Sequence, residues 1–338
     1  MRMRLRNAGR VLRQKGLLRL TLLVVGSIFS SGLLITVLEP ELSFADGLWW
    51  SIVTLTTVGY GDISPSTPGG RVLAGLIMLV GIGLLATFSA SLAALLISMK
   101  IKENQGMCLS EAVNHIIICE WNHRVKAILK ELRADAKTAT ASIVLLADID
   151  EKPLDDPDLL FIRGPADEET LTKANLIKAK TVIILGDDRL EPTARDAKAV
   201  LTAMTVEQLH PQAHTVVELV DKANERHCVR AKVDEIIIAS ELSSHLIASA
   251  ASDHGLSKIV SELLSSSYGN ELYVMPLPAQ MADKCFLDVF LAMKTERNAT
   301  VIGLQKKSGA LFLPNPDPET MVREDDLLVV ISKDRLKA

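Results

Sequence analysis

The chain has 338 residues, 48% of them hydrophobic and 4% aromatic, with a mean hydropathy of +0.25 and a formal net charge of −4. That balance excludes both a disordered chain and a purely soluble one. Charge is unevenly placed: residues 1–102 carry net +6, which leaves −10 on residues 103–338, and an acidic half of that kind argues against a nucleic-acid partner.

Seven basic residues (Arg2, Arg4, Arg6, Arg10, Arg13, Lys15 and Arg19) precede an uncharged apolar run, Leu20 to Leu38. A second run, Val72 to Met99, is followed by Lys100 and Lys102. Both exceed the roughly 18 residues expected of a membrane-spanning helix. The first run is too long for a secretory signal, lacks a small-residue cleavage site and is followed by another span. Between the spans Glu39, Glu41, Asp46 and Asp62 face only Arg71. Basic flanks stay inside, so the expectation is a multi-pass protein of the plasma (inner) membrane, both termini cytoplasmic and the connecting loop outside.

Within that loop Phe44 to Thr56 is expected to form a short re-entrant helix, its C-terminal dipole end favouring a cation. Thr57-Val58-Gly59-Tyr60-Gly61-Asp62 follows. Glycines at alternate positions permit backbone dihedrals that aim consecutive carbonyls at one axis, where they replace the hydration shell of a potassium ion. This stretch resembles the selectivity filter of a potassium channel. The resemblance implies potassium ions in the filter, a homotetramer around one pore, a hydroxyl ring from Thr57 and bracing by Tyr60. Trp49 and Trp50 then either buttress the filter or anchor at the interface. Gly81 and Gly83 in the second span serve either as a gating hinge or as a close-packing surface. Neither span carries regularly spaced arginines, so a voltage sensor of the usual kind is absent from the sequence.

After a polar linker, residues 100–106, the pattern changes. His115–Cys119, Ile143–Ala147, Leu160–Ile162, Thr181–Leu185, Thr215–Leu219 and Glu235–Ile238 are short, nearly all apolar and rich in β-branched residues, as strands of a doubly covered parallel sheet are. Helical stretches lie between them at Arg124–Arg133, Glu168–Asn175, Thr193–Glu207 and Ala223–Ala231. The pattern spells a Rossmann-like domain over 107–239. Carried on a potassium pore, it is similar to the RCK (TrkA-type) domain that regulates potassium conductance. A helix-turn-helix dimerisation element over 240–267 (Ser240–Ala251, Leu256–Leu264) and a small α+β C-terminal subdomain over 268–338 extend the resemblance. Strands are expected there at Leu272–Leu277, Thr300–Lys306, Leu311–Pro314 and Leu327–Ser332. The fold class is thus a membrane α-helical pore module (1–19 basic N-terminus, 20–99 two spans plus re-entrant pore helix) joined to a cytoplasmic α/β RCK domain.

Two ligand sites are suggested. The turn after the first strand, Glu120-Trp121-Asn122-His123-Arg124, has no glycine to let a pyrophosphate approach, although Asn122, His123 and Arg124 can donate hydrogen bonds. Asp148 and Asp150 are placed as ribose acceptors, and Gly164 follows the third strand, for NAD or an adenine nucleotide. Calcium-gated members of the family place acids after the fourth strand and around the fifth. Asp187, Asp188, Glu218 and Asp221 are the candidates here, with Leu185 and Val220 where further acids would be expected. The four cysteines form no CxxC pair, and Pro211 separates His210 from His214, so no zinc site is expected.

These features favour a ligand-gated potassium channel, not an enzyme and with no catalytic residues. The alternatives are an NAD-linked membrane-anchored oxidoreductase, for which a glycine fingerprint and an acid–base constellation are missing, and the regulatory subunit of a potassium transporter, which would need no filter. The resemblance further implies a gating ring of RCK domains pulling on the inner helices through the linker. One RCK unit per chain makes four, so an eight-membered ring requires additional soluble copies, for which Met107 is placed as an internal start.

Overall fold

The computed structural model describes residues 15–306 and 312–336. The arginines at 2–13 on which the topology argument leans, and Leu311 of an expected strand, lie outside them. The chain divides into two compact units, 1–103 and 104–338.

Among the described residues the first unit has three helices. α1 (Lys15–Leu38) and α3 (Pro68–Asn104) are long and apolar enough to cross a bilayer, and their outward faces, including Leu22, Phe29, Val37, Leu79 and Val80, are exposed. Between them α2 (Phe44–Leu55) starts at a capping box. Ser43 accepts from the Asp46 amide while the Asp46 carboxylate takes the Ser43 amide and hydroxyl, satisfying donors that a helix start leaves open. α2 packs on α1 through two glycines: a Cβ on Gly32 would meet Leu48, and one on Gly47 would overlap Thr36 Oγ1 and the Gly32 carbonyl. Ile35, Trp50 and Ala74 form the small core of the three helices.

The second unit opens with six parallel strands: β1 (His115–Cys119), β2 (Ile143–Ala147), β3 (Leu159–Arg163), β4 (Ala179–Ile184), β5 (His214–Leu219) and β6 (Glu235–Ile238). Their order is β3-β2-β1-β4-β5-β6, so the sheet reverses direction between β1 and β4 and opens a crevice at their carboxyl ends. β1 and β2 are buried along their whole length, as strands covered on both faces must be. Crossovers α4 (Val125–Ala134), α5 (Glu168–Lys173), α6 (Pro192–Leu209) and α7 (Glu225–Ala231) supply the cover. α8 (Ala239–Ser252) and α9 (Leu256–Leu263) make the helix-turn-helix; neither buries a residue within the chain, and Leu242, Ile247 and Ile259 stand exposed. The last subdomain is an antiparallel sheet of β7 (Glu271–Pro276), β9 (Thr300–Gln305), β10 (Phe312–Pro314) and β12 (Leu327–Ser332), with α10 (Phe286–Arg297) and a small pair, β8 (Lys284–Cys285) with β11 (Met321–Val322).

Two features differ from the sequence expectation. The inner helix runs on to Asn104, so most of the expected linker 100–106 is helical; Lys100 and Glu103, three apart, support the extension with an ion pair at 3.8 Å. Gly106 then turns at φ +67, its carbonyl accepting from Arg163 at 3.1 Å on the β3 edge, where a Cβ would overlap that same amide. Helix α10 also went unexpected, because its apolar residues are not gathered on one face of the sequence wheel and Val289 and Met293 are buried by the sheet it packs on.

Candidate functional site

The filter stretch leaves α2 through three backbone bonds: the Thr57 amide donates to Thr54 O, and those of Val58 and Gly59 both donate to Val53 O. Thr57, Gly59 and Gly61 have φ of +61, +60 and +73, and the residues between them do not share that hand. Alternating hand flips each peptide plane back, so successive carbonyls face one side of the strand rather than alternating as in a β-strand. A left-handed conformation costs a residue with a side chain about 1–2 kcal/mol, so glycine at 59 and 61 is the low-cost choice and Thr57 carries strain. No atom lies within 4 Å of a Cβ built on Gly59 or Gly61, so dihedral angle and not crowding demands glycine there. Trp49 stacks on Tyr60 (ring centroids 6.0 Å apart, 11° between planes), and its Nε1 donates to Asp62 Oδ2 at 2.8 Å. Of the two tryptophans Trp49 therefore buttresses the filter strand, whereas Trp50 is buried in the core.

The two hinge candidates differ. A Cβ on Gly81 would lie 3.1 Å from Leu55 Cγ, at the base of the filter helix, whereas Gly83 has open space around it. Close packing accounts for Gly81 within the chain; it does not account for Gly83.

In the second unit the sheet brings most of the expected ligand residues to one crevice, but already engaged with one another. Glu120 ends β1 at φ +78, the backbone hand that a glycine-rich turn would use, and its carboxylate is buried. Burial pushes its pKa up, while the ammonium of Lys198, 2.7 Å away, opposes that. Asn122 Oδ1 accepts the Arg124 amide and Asn122 Nδ2 donates to Gly186 O, so the turn that leads into α4, beside where a pyrophosphate would sit, is tied to the loop after β4. His123 pairs with Asp188 at 2.6 Å, and the Arg124 guanidinium reaches both Glu218 and Asp188. Trp121 packs against the hydrophobic core beside α4. Asp148 receives Arg189 Nη1 on its carbonyl at 3.0 Å, and Asp150 pairs with Arg163 at 2.7 Å. Gly164 has φ +139, and a Cβ there would meet Thr170 Cγ2 at 2.7 Å; its glycine is explained by that approach.

The four acids expected to hold calcium do not share a pocket. Asp187 is paired with Arg189 (2.9 Å) and Lys198 (2.9 Å); the Arg189 hydrogen bonds, against burial, hold its carboxyl well below the ordinary range. Asp188 faces His123, Arg124 and Arg195, and Glu218 faces Arg124. Asp221 caps a turn by accepting the Ala223 amide at 2.9 Å. Among the described residues no three His, Cys, Asp or Glu side chains converge as a metal site. Asp187, Asp188 and Glu218 are each paired with a basic side chain and Asp221 accepts a backbone amide, contacts that a cation would have to displace.

Sequence reasoning passed over the residues that organise this region. Asp196, buried on α6, accepts the amides of Val220 and Asp221 and the side chain of Asn224, each at 2.9 Å. It falls on the buried stripe with Ala199, Ala203 and Val206. A carboxylate on an otherwise apolar helical stripe was a legible signal of a buried cap. Lys198 and Arg189 lacked any such signal, since nothing local distinguishes them from solvated cations.

Comparison with known proteins agrees with this division. Residues 19–98 match the family described as ion channel, 111–217 the calcium-activated potassium channel slowpoke-like RCK domain, and 240–338 the family described as Castor and Pollux, part of voltage-gated ion channel. The potassium channel protein YugO of Bacillus subtilis is 29% identical over 93% of this chain and 95% of its own length. The calcium-gated potassium channel TvoK of Thermoplasma volcanium is 33% identical over 67% of this chain and 65% of its own. Among solved structures the GsuK channel superposes with a TM-score of 0.51 at 18% identity, covering 94% of this chain and 57% of that one, which speaks for the fold. A braced strand over residues 57–62 between two spans, followed by a switch-point parallel sheet, goes with these matches: a membrane ion channel with an appended regulatory domain. The chain is a two-span potassium channel with a C-terminal RCK regulatory domain, not an enzyme.

Proposed function

We propose that this chain forms a potassium-selective pore as a homotetramer in the plasma (inner) membrane, both termini cytoplasmic, gated by ligand binding to a ring of its RCK units. Thr57, Val58, Gly59, Tyr60, Gly61 and Asp62 supply one quarter of the filter. The observation that carries the reading is the alternation of backbone hand at Thr57, Gly59 and Gly61 beside the Trp49–Asp62 brace. Gly83 is the hinge candidate we favour, since packing on Leu55 gives Gly81 another reason to be glycine. Helix α3 continues to Asn104, and Gly106 turns onto the β3 edge.

For the ligand, the acidic character of residues 103–338 favours a cation such as calcium over NAD or an adenine nucleotide. Ligand binding must separate open from closed rings by about 5.5 kcal/mol in total to shift 1:99 to 99:1, a sum that four or more sites divide into modest parts. Additional soluble RCK copies would complete a ring of eight. The test is the reversal potential of the full chain in planar bilayers under bi-ionic potassium and sodium. The native chain is expected to prefer potassium strongly and Gly59→Ala to lose that preference; unchanged selectivity in Gly59→Ala would remove the filter assignment.

A further inference from the structure

The crevice between β1 and β4 holds a cation that belongs to the chain. We propose that Lys198 is a tethered cation closing this crevice, so that neither a divalent ion nor a dinucleotide enters it in the native protein; the proposal rests on reading the unit as an RCK regulatory domain. The Lys198 ammonium lies 2.7 Å from Glu120 Oε1 and 2.9 Å from Asp187 Oδ2, between carboxylates at the ends of two neighbouring strands. Both side chains are nearly inaccessible (6% and 4% exposed), and Lys198 itself is 30% exposed. Burial alone would weaken its charge, yet the two carboxylates reverse that and strengthen it.

A second cation completes the closure. Arg189 takes both oxygens of Asp187 at 2.9 Å and reaches across to the Asp148 carbonyl at the end of β2, where a ribose acceptor would be needed. Calcium requires six to eight oxygen ligands, and a dinucleotide requires free amides at the helix start. Here the oxygens of Glu120 and Asp187 face nitrogen cations, and the turn before α4 is held by the Asn122 bonds to the Arg124 amide and the Gly186 carbonyl. The same position explains why an acid can stand in a turn that normally demands glycine: Glu120 supplies the negative charge that a bound phosphate would bring, and Lys198 answers it.

Because Arg189 still holds both oxygens of Asp187, both cations must lose their charge to open the crevice: Lys198→Met together with Arg189→Met leaves Glu120 and Asp187 buried without a counter-charge, and a divalent ion becomes the group that relieves them. The experiment uses the full chain in detergent at constant high potassium. Radioactive calcium is counted per chain by equilibrium dialysis, with NAD and ADP dialysed separately, and melting is followed by tryptophan fluorescence. The double variant Lys198→Met/Arg189→Met is expected to gain one saturable calcium site per chain over the native protein and to melt at lower temperature, with the loss recovered in millimolar calcium. Asp187→Asn in the native background is expected to leave the calcium isotherm unchanged, a measurement that stands whether or not the double variant folds. The proposal is overturned if the double variant binds no more calcium than the native chain, if Asp187→Asn removes calcium binding, or if native protein binds NAD or ADP in a way that Glu120→Gln abolishes. Potassium selectivity of the same preparations is read separately, so a non-selective pore would sink the channel reading and leave these binding counts standing.

Discussion

Glu39, one residue beyond the outer span, caps the start of the inner span through Thr67: its Oε1 accepts from the Thr67 amide at 2.8 Å and from Thr67 Oγ1 at 2.7 Å, while Oε2 accepts from Ser66 Oγ at 2.7 Å. The carboxylate thus holds Thr67 in place, whose Oγ1 caps α3 by accepting the Gly70 amide at 3.0 Å, and ties the two spans together on the filter side. Gly70 makes room for it, since a Cβ there would overlap Glu39 Oε1.

Gly70→Ala and Glu39→Gln are therefore expected to loosen the same joint. Both should lower the apparent melting temperature of the detergent-solubilised protein, and the double variant should lose less than the two singles added, because they act on one contact. Strict additivity would show that the residues act separately.

The Trp49–Asp62 bond predicts a split between stability and selectivity. Trp49→Phe keeps a ring to stack on Tyr60 but removes the Nε1 donor, so potassium preference should persist while the conducting filter becomes shorter-lived. Steady-state recordings would check this. Open times equal to those of the native channel would show that stacking alone holds the filter strand.

Asp196 serves three donors from a buried position. Hydrogen bonds to a charged group contribute about 1.5–3 kcal/mol each, and stranding the donors costs as well, so Asp196→Ala should destabilise the RCK unit by roughly 3 kcal/mol or more. The loop after β5 should lose amide-exchange protection first. Protection unchanged at Val220 and Asp221 would contradict the capping role.

His115 sets a pH dependence. It is fully buried with Nε2 2.9 Å from Ala174 O, and burial pushes its pKa below the ordinary value of 6.5, the carbonyls of Ala174 and Lys178 opposing. The unfolded chain therefore binds a proton that the folded one refuses, and stability falls as pH drops below about 6.5. Asp187 is depressed instead, so its contribution is present above the ordinary carboxylate range and lost only below about pH 4. Melting between pH 7.5 and 5 should show a decline that His115→Gln flattens and Asp187→Asn does not. A decline insensitive to His115 would assign it to another group.

How much of this was legible in advance depended on whether the signal was local. The spans, the filter stretch and the six parallel strands were readable because hydrophobic runs and backbone-permissive glycines act within a few residues of themselves; even the left-handed positions at Gly59 and Gly61 follow from residue type. The helix-turn-helix and the last subdomain were readable in outline, but α10 was not, because its burial comes from a sheet assembled by residues both before and after it in the chain. The ligand crevice was legible only in part for the same reason. Asp187, Asp188, Glu218 and Asp221 read as candidate calcium ligands, yet charge neutralisation acts through space: folding brings Lys198 to Asp187 and Arg124 to Glu218 from other elements, while Arg189 pairs with Asp187 inside one loop. Residue order placed these acids around the carboxyl ends of the strands; tertiary structure decided that each is already engaged there.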